Sequence, residues 1–174
     1  MTAQRPRRGP RSSLRATAAA LLLPLLACSG TEPTSAALGP GEPDLHVSAA
    51  QSSGPVAGAA QLVLTIENRG NGADRLLAAE SDAALAVEIH RTVIEDDGRA
   101  FMRMLDDVVI PAGEAVAFRP GGLHLMLVVP DERVVVGGTF DVTLRFERTG
   151  PITLPVTVVE LLDLVEGTTG AARP

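Results

Sequence analysis

The sequence predicts an all-β domain, a sandwich or barrel of short strands. Three observations point there. Between residues 61 and 160, apolar residues fall into short runs, several of them alternating with polar residues. The 17 Gly and 13 Pro gather mainly in residues 30–43 and in the turns between those runs. The one helix-like stretch, 160–164, is too short to form a layer. Short strands separated by Gly/Pro turns are the signature of sandwiches and barrels.

The elements follow in order. Residues 61–67 (QLVLTIE) alternate at Leu62, Leu64 and Ile66 and stop at the turn Asn68-Arg69-Gly70-Asn71-Gly72. Residues 85–94 place Val87 and Ile89 on one face and Glu88 and His90 on the other. Residues 107–110 end at Pro111-Ala112-Gly113, and 114–119 end at Pro120-Gly121-Gly122. Residues 123–129 end at Pro130-Asp131. Residues 139–147 alternate at Phe140, Val142, Leu144 and Phe146. Residues 152–160 form the last run, where Pro155 implies an edge or a bulge.

The start of the chain reads as an address. Residues 1–27 carry five Arg, no acid, and an apolar run at 16–27 (ATAAALLLPLLA). A membrane-spanning helix needs about 20 residues, so this run fits a secretory signal peptide instead. Leu25-Leu26-Ala27-Cys28 resembles the bacterial lipoprotein processing box, which implies cleavage before Cys28 and lipidation of that residue. Cys28 is the sole cysteine, so an intrachain disulfide and a Cys-based zinc site are excluded. The expected organisation is a signal peptide at 1–27, a lipidated Cys28 with a flexible tether to 43, a β domain at 44–162, and a flexible tail at 163–174. The protein is then exported and held at a membrane by its lipid alone, facing the periplasm or the cell exterior.

Beyond residue 27 the chain has ten Arg and no Lys against 21 Asp and Glu, a formal charge of −11. That balance disfavours nucleic acid as a partner. With four Phe and no Trp or Tyr, the chain also lacks the aromatics of base-stacking platforms. Enzymatic chemistry finds little support. No G-x-S-x-G element occurs, and the pairs Asp96-Asp97 and Asp106-Asp107 sit beside turns as solvated loops. The Asp96-Asp97-Gly98 turn lacks EF-hand spacing for Ca(II).

The informative residues are histidines and methionines. His90 and His124 lie in strand runs 34 residues apart, whereas His46 sits at the start of the domain as a surface or structural residue. In His124-Leu125-Met126 the first and third side chains share one face, about 6–7 Å apart along the strand, with Leu125 opposed. Met102-Arg103-Met104 repeats the spacing with two thioethers. Apart from Met1, every methionine lies in these two segments. Thioether and neutral imidazole together suit Cu(I) rather than Zn(II), Mg(II) or Ca(II), and neutral ligands suit an exchangeable ion. Met also fills irregular gaps in cores, which is the competing explanation.

From about residue 58 to 160 the landmarks resemble the periplasmic copper chaperone family PCuAC. They are LTIENRG at 64–70 in its extended run from 63, VEIH at 87–90, MRM at 102–104, IPAGEAVAFRPGGLHLML at 110–127 and VTLRFERTGPITLPVTV at 142–158. The resemblance implies metal ligands His90, Met102, His124 and Met126, with Met104 as the fallback for Met102. Eleven residues separate His90 from Met102, one more than the family pattern, and 21 separate Met102 from His124. Thr92 stands where many members have a further Met. The implied fold is a cupredoxin-like Greek-key β-sandwich. The implied function is carriage of Cu(I), passed to a respiratory cytochrome oxidase subunit or a thiol-bearing assembly factor; a second site for Cu(II) is left open. The alternative is a lipid-anchored β-sandwich that binds a protein partner and no metal.

Overall fold

The computed structural model describes residues 38–170. The signal peptide, Cys28, the tether as far as residue 37 and the last four residues lie outside the described residues. Among the described residues ten strands form one sheet: β1 (Leu45–Ser53), β2 (Ala59–Asn68), β3 (Asp74–Glu80), β4 (Ala84–Ile94), β5 (Ala100–Met104), β6 (Val108–Ile110), β7 (Ala115–Phe118), β8 (Leu123–Pro130), β9 (Thr139–Phe146) and β10 (Pro151–Val159). Helix α1 (Leu161–Gly170) follows. The strand order is β5-β4-β8-β2-β1-β10-β9-β3-β6, with β7 on β2. A further pairing of Ala79 in β3 with Val87 in β4 closes the sheet on itself. Closure leaves the short strands β5, β6 and β7 as its edges, each paired on one side only. Neighbours distant in sequence, such as β2 with β8 and β3 with β9, give the crossing connections of a Greek key.

The alternating residues of the sequence supply the core. Leu62, Leu64 and Ile66 of β2 meet Leu125 and Leu127 of β8 and Ile89 of β4, all fully or almost fully buried. Burial of each such side chain stabilises the fold by about 1.5–3 kcal/mol. The period of two then dictates the rest: Glu88, His90 and Thr92 of β4, and His124 and Met126 of β8, lie on the face turned away from this core.

Three strands go beyond the runs read from sequence. β1 alternates weakly and carries a bulge, a register shift between Ser48 and Gln51 with Ala49 at φ 53°. β3 (DRLLAAE) has helix-favouring Leu and Ala, yet pairing with β6 and β9 on its two sides holds it extended. β5 contains the Met102-Arg103-Met104 segment and is exposed along its whole length. The tail differs from expectation: residues 161–170 are helical, and Leu164 is fully buried. Tertiary packing of that one leucine gives the short helix a support that its composition does not. Pro155 pairs with Asp141 of β9, while β1 reaches β10 only from Thr157 to Val159, so its missing N–H interrupts no pairing there. At the Asn68–Gly72 turn, a Cβ on Gly70 would strike the Glu42 carbonyl, which is why glycine stands there.

Candidate metal centre

Strand register assembles the candidate residues. His90 of β4 pairs with His124 of β8 on one side and with Met104 of β5 on the other. The three form a row across the sheet. Met126 lies opposite Glu88, and Met102 lies opposite Thr92, one step along the strands in opposite directions. Paired residues and residues two apart share a face, so His90, His124, Met102, Met104 and Met126 project to the same side. Leu105 N–H donates to Ile89 O, which makes His90 and Met104 a non-hydrogen-bonded pair, the type whose side chains approach more closely.

Exposure grades across this face. His124 is 0% exposed and Met126 9%, whereas Met102 is 53% and Met104 62% exposed. Met126 is buried but stands outside the main hydrophobic cluster, and the two β5 thioethers stand at the surface. Met102 and Met104 therefore fill no gap in the core. Met102 and Met126 line one shallow cleft with Gln61, Val56 and Leu161.

The hydrogen bonds fix one protonated nitrogen on each ring. His124 Nδ1 lies 3.0 Å from the Gly122 carbonyl, an acceptor, so Nδ1 carries the proton and donates it. His90 Nε2 lies 2.9 Å from Glu88 Oε2, again an acceptor, so Nε2 carries the proton of that ring. The opposite nitrogens, His90 Nδ1 and His124 Nε2, are buried and have no hydrogen-bond partner. Leaving a buried acceptor unpaired costs about 1–3 kcal/mol, an expense that a ligand would relieve. Burial, helped by the nearby His90, pushes the His124 pKa below the ordinary histidine value against the opposing Gly122 bond. His124 is therefore neutral at neutral pH and offers a lone pair.

The ring centroids are 5.9 Å apart and nearly perpendicular, at 75°. A metal–nitrogen bond of about 2 Å places a ring centroid about 3 Å from the ion, so two rings on one ion stand up to about 6 Å apart. The spacing suits a single ion between the rings. Among the described residues no three of His, Cys, Asp and Glu converge as a metal site. The donors on this face are thus imidazole and thioether, both neutral, the thioether soft and the imidazole well suited to copper.

Other sequence candidates fall elsewhere. His46 is at the surface, 3.4 Å from Asp44. Asp97 caps the β4–β5 turn by pairing with Arg99. Two residues at the centre had no assigned role in the sequence: Glu88 and Gly122, whose oxygens lie within hydrogen-bond distance of the two rings. The shared strand face of Glu88 and His90 was the legible signal for the first. The carbonyl of Gly122 carries no side-chain signal at all.

Comparison with known proteins places the chain. It matches the family model described as "Putative lipoprotein LpqE-like" over residues 43–158. The chain belongs to the LpqE-like family. A putative lipoprotein of Leifsonia xyli subsp. xyli is 33% identical to this LpqE-like chain over 147 residues, covering 82% of this chain and 89% of the relative. Among solved structures, the copper-bound PCuAC domain from PmoF2 is similar, with TM-score 0.57 and 24% identity over 72% of this chain and 99% of that one. The apo PmoF2 PCuAC domain gives 0.55 and 26% over 71% and 93%. The Cu(I) form of DR1885 from Deinococcus radiodurans gives 0.53 and 21% over 68% and 78%. The LpqE-like chain therefore has the all-β, cupredoxin-like fold of PCuAC domains.

Proposed function

We propose that this protein is an exported, lipid-anchored copper chaperone. In this reading Cu(I) binds His90, His124, Met126 and a thioether of β5, and is handed to a respiratory oxidase copper centre or to its thiol-bearing assembly partner. The observation that carries it is the row Met104–His90–His124 with two buried ring nitrogens that lack partners. The copper-bound PCuAC domains of the same fold support the choice of ion. Cys28 and the lipoprotein descriptions of the family and the relative support the anchor. Among the described residues no helix is long and apolar enough to cross a membrane.

The geometry suggests how release would work. The two histidines and Met126 form a sheltered floor, while Met102 and Met104 stand on an exposed edge strand. An incoming thiolate reaches the ion from the β5 side, displaces the exposed thioether first, and then competes with Met126. Copper stays Cu(I) throughout, because only ligands exchange. In this reading either β5 thioether can serve. Met104 stands opposite His90, and Met102 shares the cleft with Met126.

An anaerobic Cu(I) titration of the protein against a competing chelator tests the reading. One tight equivalent is expected, weakened in His124→Ala. A folded wild type that fails to compete for Cu(I) would leave the β-sandwich as a metal-free interaction module.

A further inference from the structure

The two histidines leave different ring nitrogens buried and unpartnered, Nδ1 of His90 and Nε2 of His124, and the reason lies in what holds each ring on its other side. His124 is held by a backbone carbonyl, a fixture of the fold. His90 is held by a side chain, Glu88, two residues earlier on the same strand face and opposite Met126 in register. We propose that Glu88 is a positioning residue for copper. By accepting the Nε2 proton of His90, it selects the tautomer whose Nδ1 lone pair faces the buried side of the ring.

The chemistry argues for a carboxylate in that place. An isolated neutral imidazole samples both tautomers, and the wrong one would turn an N–H toward the ion. A carboxylate acceptor selects one tautomer and raises the basicity of the opposite nitrogen. It also brings a negative charge close to a centre whose ligands are all neutral, without itself occupying a coordination position. The Glu88 side chain is only partly exposed and the His90 side chain is 15% exposed, so solvent screens the pair less than a surface ion pair. The inference rests on the copper reading of this site.

The test uses the metal-free protein first. Long-range proton–nitrogen NMR of the histidine rings reports which nitrogen carries the proton. The wild type is expected to show His90 protonated at Nε2. Glu88→Ala should shift His90 toward a mixture of tautomers and weaken Cu(I) binding about 10–100-fold, the effect typical of a lost carboxylate behind a metal-binding histidine. Glu88→Gln keeps an acceptor oxygen without the charge, so it should retain the tautomer and lose less affinity. A wild-type His90 protonated at Nδ1 overturns the proposal. So does a Glu88→Ala protein whose Cu(I) affinity is unchanged or raised, because Glu88 would then be idle or competing for the ring. Absence of Cu(I) binding in the wild type would instead overturn the copper reading, while the tautomer spectrum would still report on the Glu88–His90 pair, so the two failures are separable.

Discussion

Two regions of this protein bury polar side chains, and they do so in opposite ways. Around the Asn68 turn, Asn68 Nδ2 donates to the carbonyls of Gly72 at 2.9 Å and Ile110 at 3.2 Å, while Oδ1 accepts from the N–H groups of Asp44 and Gly70. Nearby, Asp74 accepts from the N–H groups of Arg75, Arg148 and Thr149 and from the Thr149 hydroxyl. Both side chains are fully buried and well partnered. On the His90–His124 face, two equally buried ring nitrogens are left without partners. A buried polar group that is satisfied holds the chain in place. One that is unsatisfied, beside soft donors and an exposed edge strand, is poised for a ligand.

The comparison can be broken from either side. The largest effect is expected for Asn68→Ala, which strands several backbone groups at about 1–3 kcal/mol each. It should lower stability to denaturant by about 3 kcal/mol or more while leaving Cu(I) affinity unchanged in the folded fraction. A comparable loss of copper affinity there would erase the distinction between the two regions.

Met126→Leu conserves volume, so it should cost less than about 1.5 kcal/mol of stability. It should nevertheless weaken Cu(I) binding by about 100-fold, equivalent to about 2.7 kcal/mol. Unchanged affinity in a chelator competition would remove Met126 from the ligand set. Met102→Leu and Met104→Leu, measured in the same way, sharpen the picture: the larger loss identifies the β5 ligand, and equal small losses mean that either thioether serves.

Acid sensitivity should belong to the structural region. Desolvation pushes the Asp74 carboxyl upward, but hydrogen bonds from Thr149, Arg148 and Arg75 outweigh it and hold its pKa below the ordinary aspartate value. A depressed folded pKa gives stability that is fully present above the unfolded value, about 3.9, and is lost as pH falls through the lower folded value. Asp74→Asn should therefore be less stable at neutral pH and lose stability less steeply below about pH 4, measured by denaturant titrations across pH. An unchanged acid slope would count against this role. The smallest effect is expected for His46→Ala. Its exposed pairing with Asp44 contributes at most about 1 kcal/mol, and neither stability nor copper affinity should move measurably.

Much of this was legible along the chain. Alternation at Leu62-Leu64-Ile66 and Phe140-Val142-Leu144-Phe146 specified strands, because one face of each must be buried. The spacing of His124 and Met126 specified a shared face, because a strand repeats every two residues. Local pattern could not specify β3, whose Leu and Ala become extended only between β6 and β9, nor α1, which is supported by the burial of Leu164. The centre needed pairing as well. Residues 90, 104 and 124 meet only because β5 and β8 flank β4 at His90, and strand register is a long-range property. Which ring nitrogens are free was likewise a tertiary outcome. It depends on a backbone carbonyl at Gly122 and on Glu88 reaching the ring of His90, and a hydrogen bond's direction is written in geometry rather than in residue type.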